Sequence, residues 1–288
     1  VRISKRTSEK LFRRIAEVQR LGTGTIAVYN NDFVIDSLVK FGYDLKEARN
    51  FANDGCWEIQ IPGKTCFSYH PLDTVLMDGA DQYGRTGRYN TCVSLFTEGC
   101  IENARGYFQR GAKYYVLSPH MASVGSVADS LYCIKKFVFG EKLLTFQKLV
   151  TCLKNNWEGE EPLRQWILNH FEGFGNANPE ADAMARRVLH DFARFQTEVK
   201  VRDGVLRPAG VSTFGREISW RGQRMAQADG HKAHDILSAN STPAVGQDKM
   251  GPTAILTSVG SLGLDCIANG TALDLKICPG SIEGEDGL

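Results

Sequence analysis

The stretch Asn53-Asp54-Gly55-Cys56-Trp57-Glu58, followed by the turn-forming Ile61-Pro62-Gly63-Lys64-Thr65, decides how the rest of this chain reads. Two helical patterns lead into it and stop. In extended backbone, residues i and i+2 point the same way, so Cys56 and Glu58 are expected to face one cavity while Trp57 turns back to anchor the loop by packing. A free cysteine by itself is most often a small buried hydrophobe, which is the plain reading of Cys56. Glu58 weighs against that reading, because a carboxylate is almost never buried without a partner. The stretch delivers a thiol and a proton-transfer group together.

Composition bounds the rest. The 288 residues are 42% hydrophobic and 23% charged, as in soluble globular proteins, and are enough for one large domain or two ordinary ones. A net charge of +1 gives no electrostatic case for nucleic acid or membrane surfaces. Basic residues do gather in the first twenty positions, but acids and apolar residues interleave with them, which describes a solvated helix face. The cysteines at 56, 66, 92, 100, 133, 152, 266 and 278 show no CxxC and no zinc-type spacing, and read as reduced thiols of a cytoplasmic protein. No apolar run is long enough to cross a bilayer, and the first ten residues lack the apolar core of a signal peptide. The sequons at Asn240 and Asn269 are therefore read without glycosylation. Val1 in place of a methionine, and the ending Gly287-Leu288, give both ends the look of a cut chain.

Outward from the central stretch, Leu11, Phe12, Ile15, Val18 and Leu21 recur at helical spacing over Ser8 to Leu21, with Gly22 placed to end the helix. The GxGxxA at Gly22 to Ala27 follows a helix instead of a strand, so it is read as a helix end leading into a strand over Thr25 to Tyr29, not as a dinucleotide fingerprint. Asp32 is expected to cap a helix through about Phe41, and Asp44 another through about Ala52. Further helices are expected over Ser94 to Arg110, 129 to 139, 146 to 155 behind Thr145, 163 to 171, and Pro179 to Val199 behind Asn178. Lys113 to Leu117, Ala254 to Val259 and Ala272 to Ile277 read as strands, and Ser241 to Ala254 as a turn-rich connection into the second of these. The alternation makes a single mixed α/β domain.

Several blocks carry a family resemblance: Ala52-Asn53-Asp54-Gly55-Cys56-Trp57-Glu58; Val127-Ala128-Asp129-Ser130-Leu131 with Ile134-Lys135-Lys136; Gly173-Phe174-Gly175-Asn176 with Asp182; Ala228-Asp229-Gly230; and Ser241 to Asp248 with Gly251-Pro252-Thr253-Ala254. In this order they resemble the pyruvate formate-lyase-like domain of glycyl radical enzymes. The resemblance implies part of a ten-stranded α/β barrel, residues 1–288 forming its central to C-terminal part, with the cysteine loop as a finger at its centre. By position Cys56 matches the family's thiyl-radical cysteine, and Glu58 the acid/base of its dehydratases and lyases. The implied cofactor is not a bound group but a glycyl radical installed by an S-adenosylmethionine-dependent activating enzyme. The implied partners are that enzyme and a small polar substrate, with a homodimer left open. A protonated thiol suits hydrogen-atom relay, and a closed apolar barrel keeps it protonated.

This chain has Gly55 and Trp57 beside a single Cys56 where the pyruvate formate-lyases carry two adjacent cysteines, which argues against acetyl transfer to coenzyme A. Asp229-Gly230-His231 with His234 stands where the family often reads Asp-Gly-Arg; a metal pair there would lack a third ligand. The family's Arg-Val-x-Gly-Tyr radical loop does not occur in these residues, so on this reading the 288-residue chain alone is expected to lack turnover. The competing expectations are a formate acetyltransferase or arylacetate-type decarboxylase of the same superfamily, and a structural fragment or subunit that receives its radical from another protein.

Overall fold

The computed structural model describes residues 1–20, 26–54, 58–70, 91–198, 205–213 and 215–275. Strand β1 (Arg2–Ile3) lies parallel to β2 (Tyr29–Asn30), and helix α1 (Glu9–Arg20) between them buries none of its residues. Its ion pairs Arg13–Glu9 and Arg14–Glu17 run along a solvated face. Helix α2 (Asn31–Phe41) is capped by Asn30, whose side chain accepts the Phe33 N–H at 3.1 Å. Asp32 is not the cap; its carboxylate takes the Lys5 N–H instead. Gly42, at φ +119, closes the helix.

Asp44 does cap α3 (Leu45–Ala48), accepting the Lys46 N–H at 2.8 Å, but that helix ends after one turn instead of reaching Ala52. Tertiary packing decides this. Phe51 is drawn into a cluster with Leu38, Tyr43, Ile59 and Ile61, and the Arg2 guanidinium sits 4.0 Å over its ring. Ala52 therefore opens a strand, β3 (Ala52–Asp54), antiparallel to β4 (Glu58–Gln60).

Beyond a turn at 61–64 the chain enters β5 (Thr65–His70), then helix α4 (Thr91–Leu95), and reaches β6 (Tyr114–Met121), the central strand of a parallel sheet. β5 pairs along β6 from Thr65↔Tyr114 to His70↔Pro119. On the opposite edge, β7 (Val205–Leu206) takes the first half of β6 and β8 (Gly210–Val211) its end, at His120↔Gly210. Tyr115, Val116, Leu117 and Ser118 are all buried, as a strand covered on both faces requires.

Helix α5 (Val124–Cys133) continues into a π-helical turn at Ile134–Gly140, and α6 (Phe146–Lys154), α7 (Glu161–His170) and α8 (Pro179–Glu198) follow. The sequence signals at Thr145 and Asn178 cap α6 and α8 as expected. Val124 and Ala128 of α5 meet Ala185 and Leu189 of α8 in a core shared with Val211 and Leu262. A second core gathers Phe137, Leu149, Trp157, Ile167 and Phe171. Each such side chain stabilises the fold by about 1.5–3 kcal/mol.

Several expectations fail. Ser94 to Arg110 is not one helix: the backbone turns at Gly99 (φ +95) and Ala104 (φ +50), and a Cβ at Gly99 would lie 2.6 Å from the Gly111 carbonyl. The segment folds back, with Glu98 N–H donating to the Gly63 carbonyl and Lys113 N–H to the Glu98 carbonyl. Arg105-Gly106-Tyr107 accordingly enters a 3-10 turn, Tyr107–Gln109, instead of lying within a helix. Ala254 to Val259 is helical, within α9 (Pro252–Gly260), so the turn-rich run from Ser241 leads into a helix. Thr271 forms only an isolated bridge to Val211, and 272–275 are not strand. Of the strand expected over Thr25 to Tyr29, residues 26–28 are not strand, and β2 begins at Tyr29. Leu21, Gly22, Thr25, Gly55, Cys56, Trp57, Val199, Lys276 and Ile277 lie outside the described residues.

Candidate active site

The site is built on the β3–β4 hairpin. Its register pairs Ala52 with Gln60, Asn53 with Ile59 and Asp54 with Glu58, which leaves residues 55–57 to join the opposed ends. Cys56 is among those three, so the shared face expected for Cys56 and Glu58, and the anchoring of Trp57, lie outside the described residues. Glu58 itself is 3% exposed, and Ile59 beside it drops into the Phe51 cluster. Alternation along β4 directs these two neighbours to opposite faces.

The hairpin is braced on both sides. Arg2 donates to the Phe51 carbonyl at 3.1 Å behind it. Ahead of it, the 61–64 turn closes with Thr65 Oγ1 accepting the Ile61 N–H at 3.0 Å, the punctuation that Pro62-Gly63 announces. Below the turn, Lys64 and Lys113 both reach Glu47 and Glu98. Burial works against the charged form of Glu47, but the hydrogen bonds from Lys113 and Lys64 outweigh it and hold its carboxyl below the ordinary range.

A polar column runs from the hairpin into the sheet. Ile59 N–H donates to Asn269 Oδ1 at 3.3 Å, and Asn269 Nδ2 donates to Ser118 Oγ at 2.5 Å and to His120 Nε2 at 2.8 Å. Ser118 Oγ in turn donates to the Pro208 carbonyl at 2.7 Å. Burial lowers His120 to about 4, so the ring is neutral and Nε2 accepts. No local pattern marks Asn269 as part of this arrangement; sequence reading noted it only as a sequon.

A second buried polar group lies between α5 and the loops before α8 and after 227. Asp129, fully buried, accepts the Phe174 N–H at 2.7 Å on Oδ1, while its Oδ2 has no partner among the described residues. Burial, together with the charges of Asp229 and Asp182, raises its carboxyl well above the ordinary range. Asp229 holds the His231 ring at 2.9 Å and raises its pKa. His234 faces the Arg221 carbonyl instead, so the two histidines have separate partners. Among the described residues no group of three or more His, Cys, Asp or Glu is arranged to hold a metal ion, and no helix is long and apolar enough to cross a membrane.

With this geometry in place, the comparisons fix the class. The family model described as pyruvate formate lyase-like matches residues 1–78 and 74–216, and the chain belongs to that family, the glycyl radical enzymes. Among curated relatives, the chain is 26% identical over 340 positions to the probable dehydratase YbiW of Escherichia coli, covering 93% of this chain and 41% of that protein. It is 25% identical to the trans-4-hydroxy-L-proline dehydratase of Clostridioides difficile, covering 100% and 43%. Among solved structures it resembles the glycerol-bound B12-independent glycerol dehydratase of Clostridium butyricum, with TM-score 0.85, 25% identity and coverage of 100% and 43%. A second likeness is to a structure of Roseburia inulinivorans concerned with 1,2-propanediol dehydration, with TM-score 0.84, 28% identity and coverage of 99% and 43%. The chain thus spans about two fifths of the length of these proteins. It shares their α/β fold, and its described strands form an open parallel array with two small pairs beside it, not a closed ring.

Proposed function

We propose that this chain forms the core of a glycyl radical dehydratase or lyase acting on a small hydroxylated substrate. The observation that carries the reading is the hairpin whose paired ends, Asp54 and Glu58, bracket Gly55-Cys56-Trp57 and bury the Glu58 carboxyl. Relatives are named for glycerol, 1,2-propanediol, hydroxyproline and sulfopropanediol, molecules that carry a hydroxyl, which supports this substrate class.

The family's glycyl radical, installed by an S-adenosylmethionine-dependent enzyme, supplies one-electron oxidising power; its loop is not among these residues. The Cys56 sulfur takes a hydrogen atom from the carbon bearing the substrate hydroxyl. Glu58 takes the hydroxyl proton, and that proton leaves with the departing group on the neighbouring carbon as water or another acid. The carbon radical that remains recovers its hydrogen from the Cys56 S–H. The balance is loss of one molecule HX from the substrate. The single Cys56 favours this over acetyl transfer.

In full-length, activated enzyme, Cys56→Ala should keep the glycyl signal in electron paramagnetic resonance and abolish product by mass spectrometry. Glu58→Gln should lower kcat by about 10²–10⁴. Turnover by Cys56→Ala would refute the reading.

A further inference from the structure

We infer that Asn269 is a positioning residue that pins the register and depth of the β3–β4 hairpin, and with it the Glu58 carboxyl. Strand β4 pairs with β3 on one side, so its outward N–H groups need a partner from elsewhere, as at any strand edge. Asn269, fully buried, supplies it to Ile59, the residue next to Glu58. One side chain does here what a third strand does in a wider sheet. It couples the hairpin to the interior of β6 through Ser118 and His120.

The orientation of this amide is determined by its neighbours. Ile59 N–H can only donate, so the oxygen faces it and both amide hydrogens face β6. The backbone at this point is set as well: Asn269 N–H donates to the Ala209 carbonyl at 3.0 Å, and the Gly270 carbonyl accepts the Val211 N–H at 3.1 Å. Asn269 therefore hangs from β8, while the Ile59 side chain is locked in the Phe51 cluster on the other face. A slip of one residue in β4 would turn the outward N–H away and send Glu58 to the opposite face. A slip of two would carry Glu58 about 7 Å along the strand.

An aspartate at 269 can still accept from Ile59 but cannot donate to Ser118 or to neutral His120, which separates the two halves of the device. The test is hydrogen exchange on full-length protein, independent of any activity. In Asn269→Ala the peptide covering Ile59 should exchange roughly ten-fold faster, with 114–118 of β6 unchanged. In Asn269→Asp the Ile59 amide should keep its protection while the His120 ring signals report a raised pKa. Unchanged exchange at Ile59 in Asn269→Ala overturns the proposal. If that variant fails to fold, Ser118→Ala, which removes one support of the amide, should still speed exchange at Ile59 by a few-fold, and no change there overturns it equally.

The mechanistic side rests on the reading of the hairpin as the reacting element. In activated enzyme, Asn269→Ala should lower kcat by ten-fold or more and leave KM within about three-fold, since Glu58 is displaced without loss of a substrate contact. Faster exchange with unaltered kcat overturns the positioning role. Turnover by Cys56→Ala, by contrast, overturns the functional reading and leaves the Asn269 pin standing.

Discussion

Asn269 and Asp129 are both fully buried and both tie a distant backbone N–H to the core, yet they solve the problem in opposite ways. Asn269 is neutral and spends both amide hydrogens and its oxygen. Asp129 uses one oxygen, leaves the other without a partner among the described residues, and sits near a second carboxyl, and burial pushes its pKa well above the ordinary carboxylate range. A glycine hems in each arrangement: a Cβ at Gly173 would lie 2.5 Å from Asp129, and one at Gly210 would lie 2.6 Å from the His120 ring. The first anchor is insensitive to its own titration and depends on a histidine staying neutral. The second rests on an acid whose charged form burial disfavours.

The largest expected effect separates them. Asp129→Ala removes the acceptor of a buried N–H and opens a cavity, and should cost about 4 kcal/mol in urea unfolding. Asp129→Asn keeps the acceptor of the Phe174 N–H and removes only a charge that burial disfavours, so it should stay within about 1 kcal/mol at pH 7. Equal losses in the two variants would mean that Asp129 works as a charge, and the contrast with Asn269 would collapse.

The second effect concerns pH. His120 titrates at about 4 in the fold against 6.5 unfolded, so between these values the unfolded chain binds the extra proton. Its contribution is therefore complete above pH 6.5 and falls as the pH drops, by about 3 kcal/mol in all. His120→Gln should abolish that part of the acid destabilisation, read as the difference between unfolding free energies at pH 7 and pH 4 in variant and wild type. An unchanged difference would remove His120 from the column.

The smallest effect tests the hemming. Gly173→Ala and Gly210→Ala should each cost about 2 kcal/mol, since the atoms they meet are held by hydrogen bonds. A cost well under 1 kcal/mol at Gly210 would show that the His120 ring can give way, and Asn269 would be the looser anchor of the two.

Local signals in the sequence were legible where they act alone. Asn178 with Pro179, and Thr145, mark the starts of α8 and α6, and the aromatic run at Lys113 to Leu117 marks β6. Ala254 to Val259 was misread because a short run of apolar and β-branched residues suits strand or helix. Pro252 at the first turn of α9 was the cue for helix. Ser94 to Arg110 carries helical spacing, but left-handed turns at Gly99 and Ala104 break it to serve a fold-back onto Gly63. At the candidate site, spacing and family resemblance pointed to Cys56 and Glu58. Asn269 was invisible because its meaning lies in Ile59, a residue 210 positions away.

That separation also has a cost in time. At a synthesis rate of 5–20 residues per second, Ile59 is made roughly 10–40 s before Asn269 exists to receive its N–H. Hairpins close in microseconds, so β3 and β4 have met long before then, in whatever alignment local forces allow. A nascent chain of this protein must therefore keep that early pairing revisable, and the alignment that places Glu58 becomes final only when a turn made 210 residues later arrives to certify it.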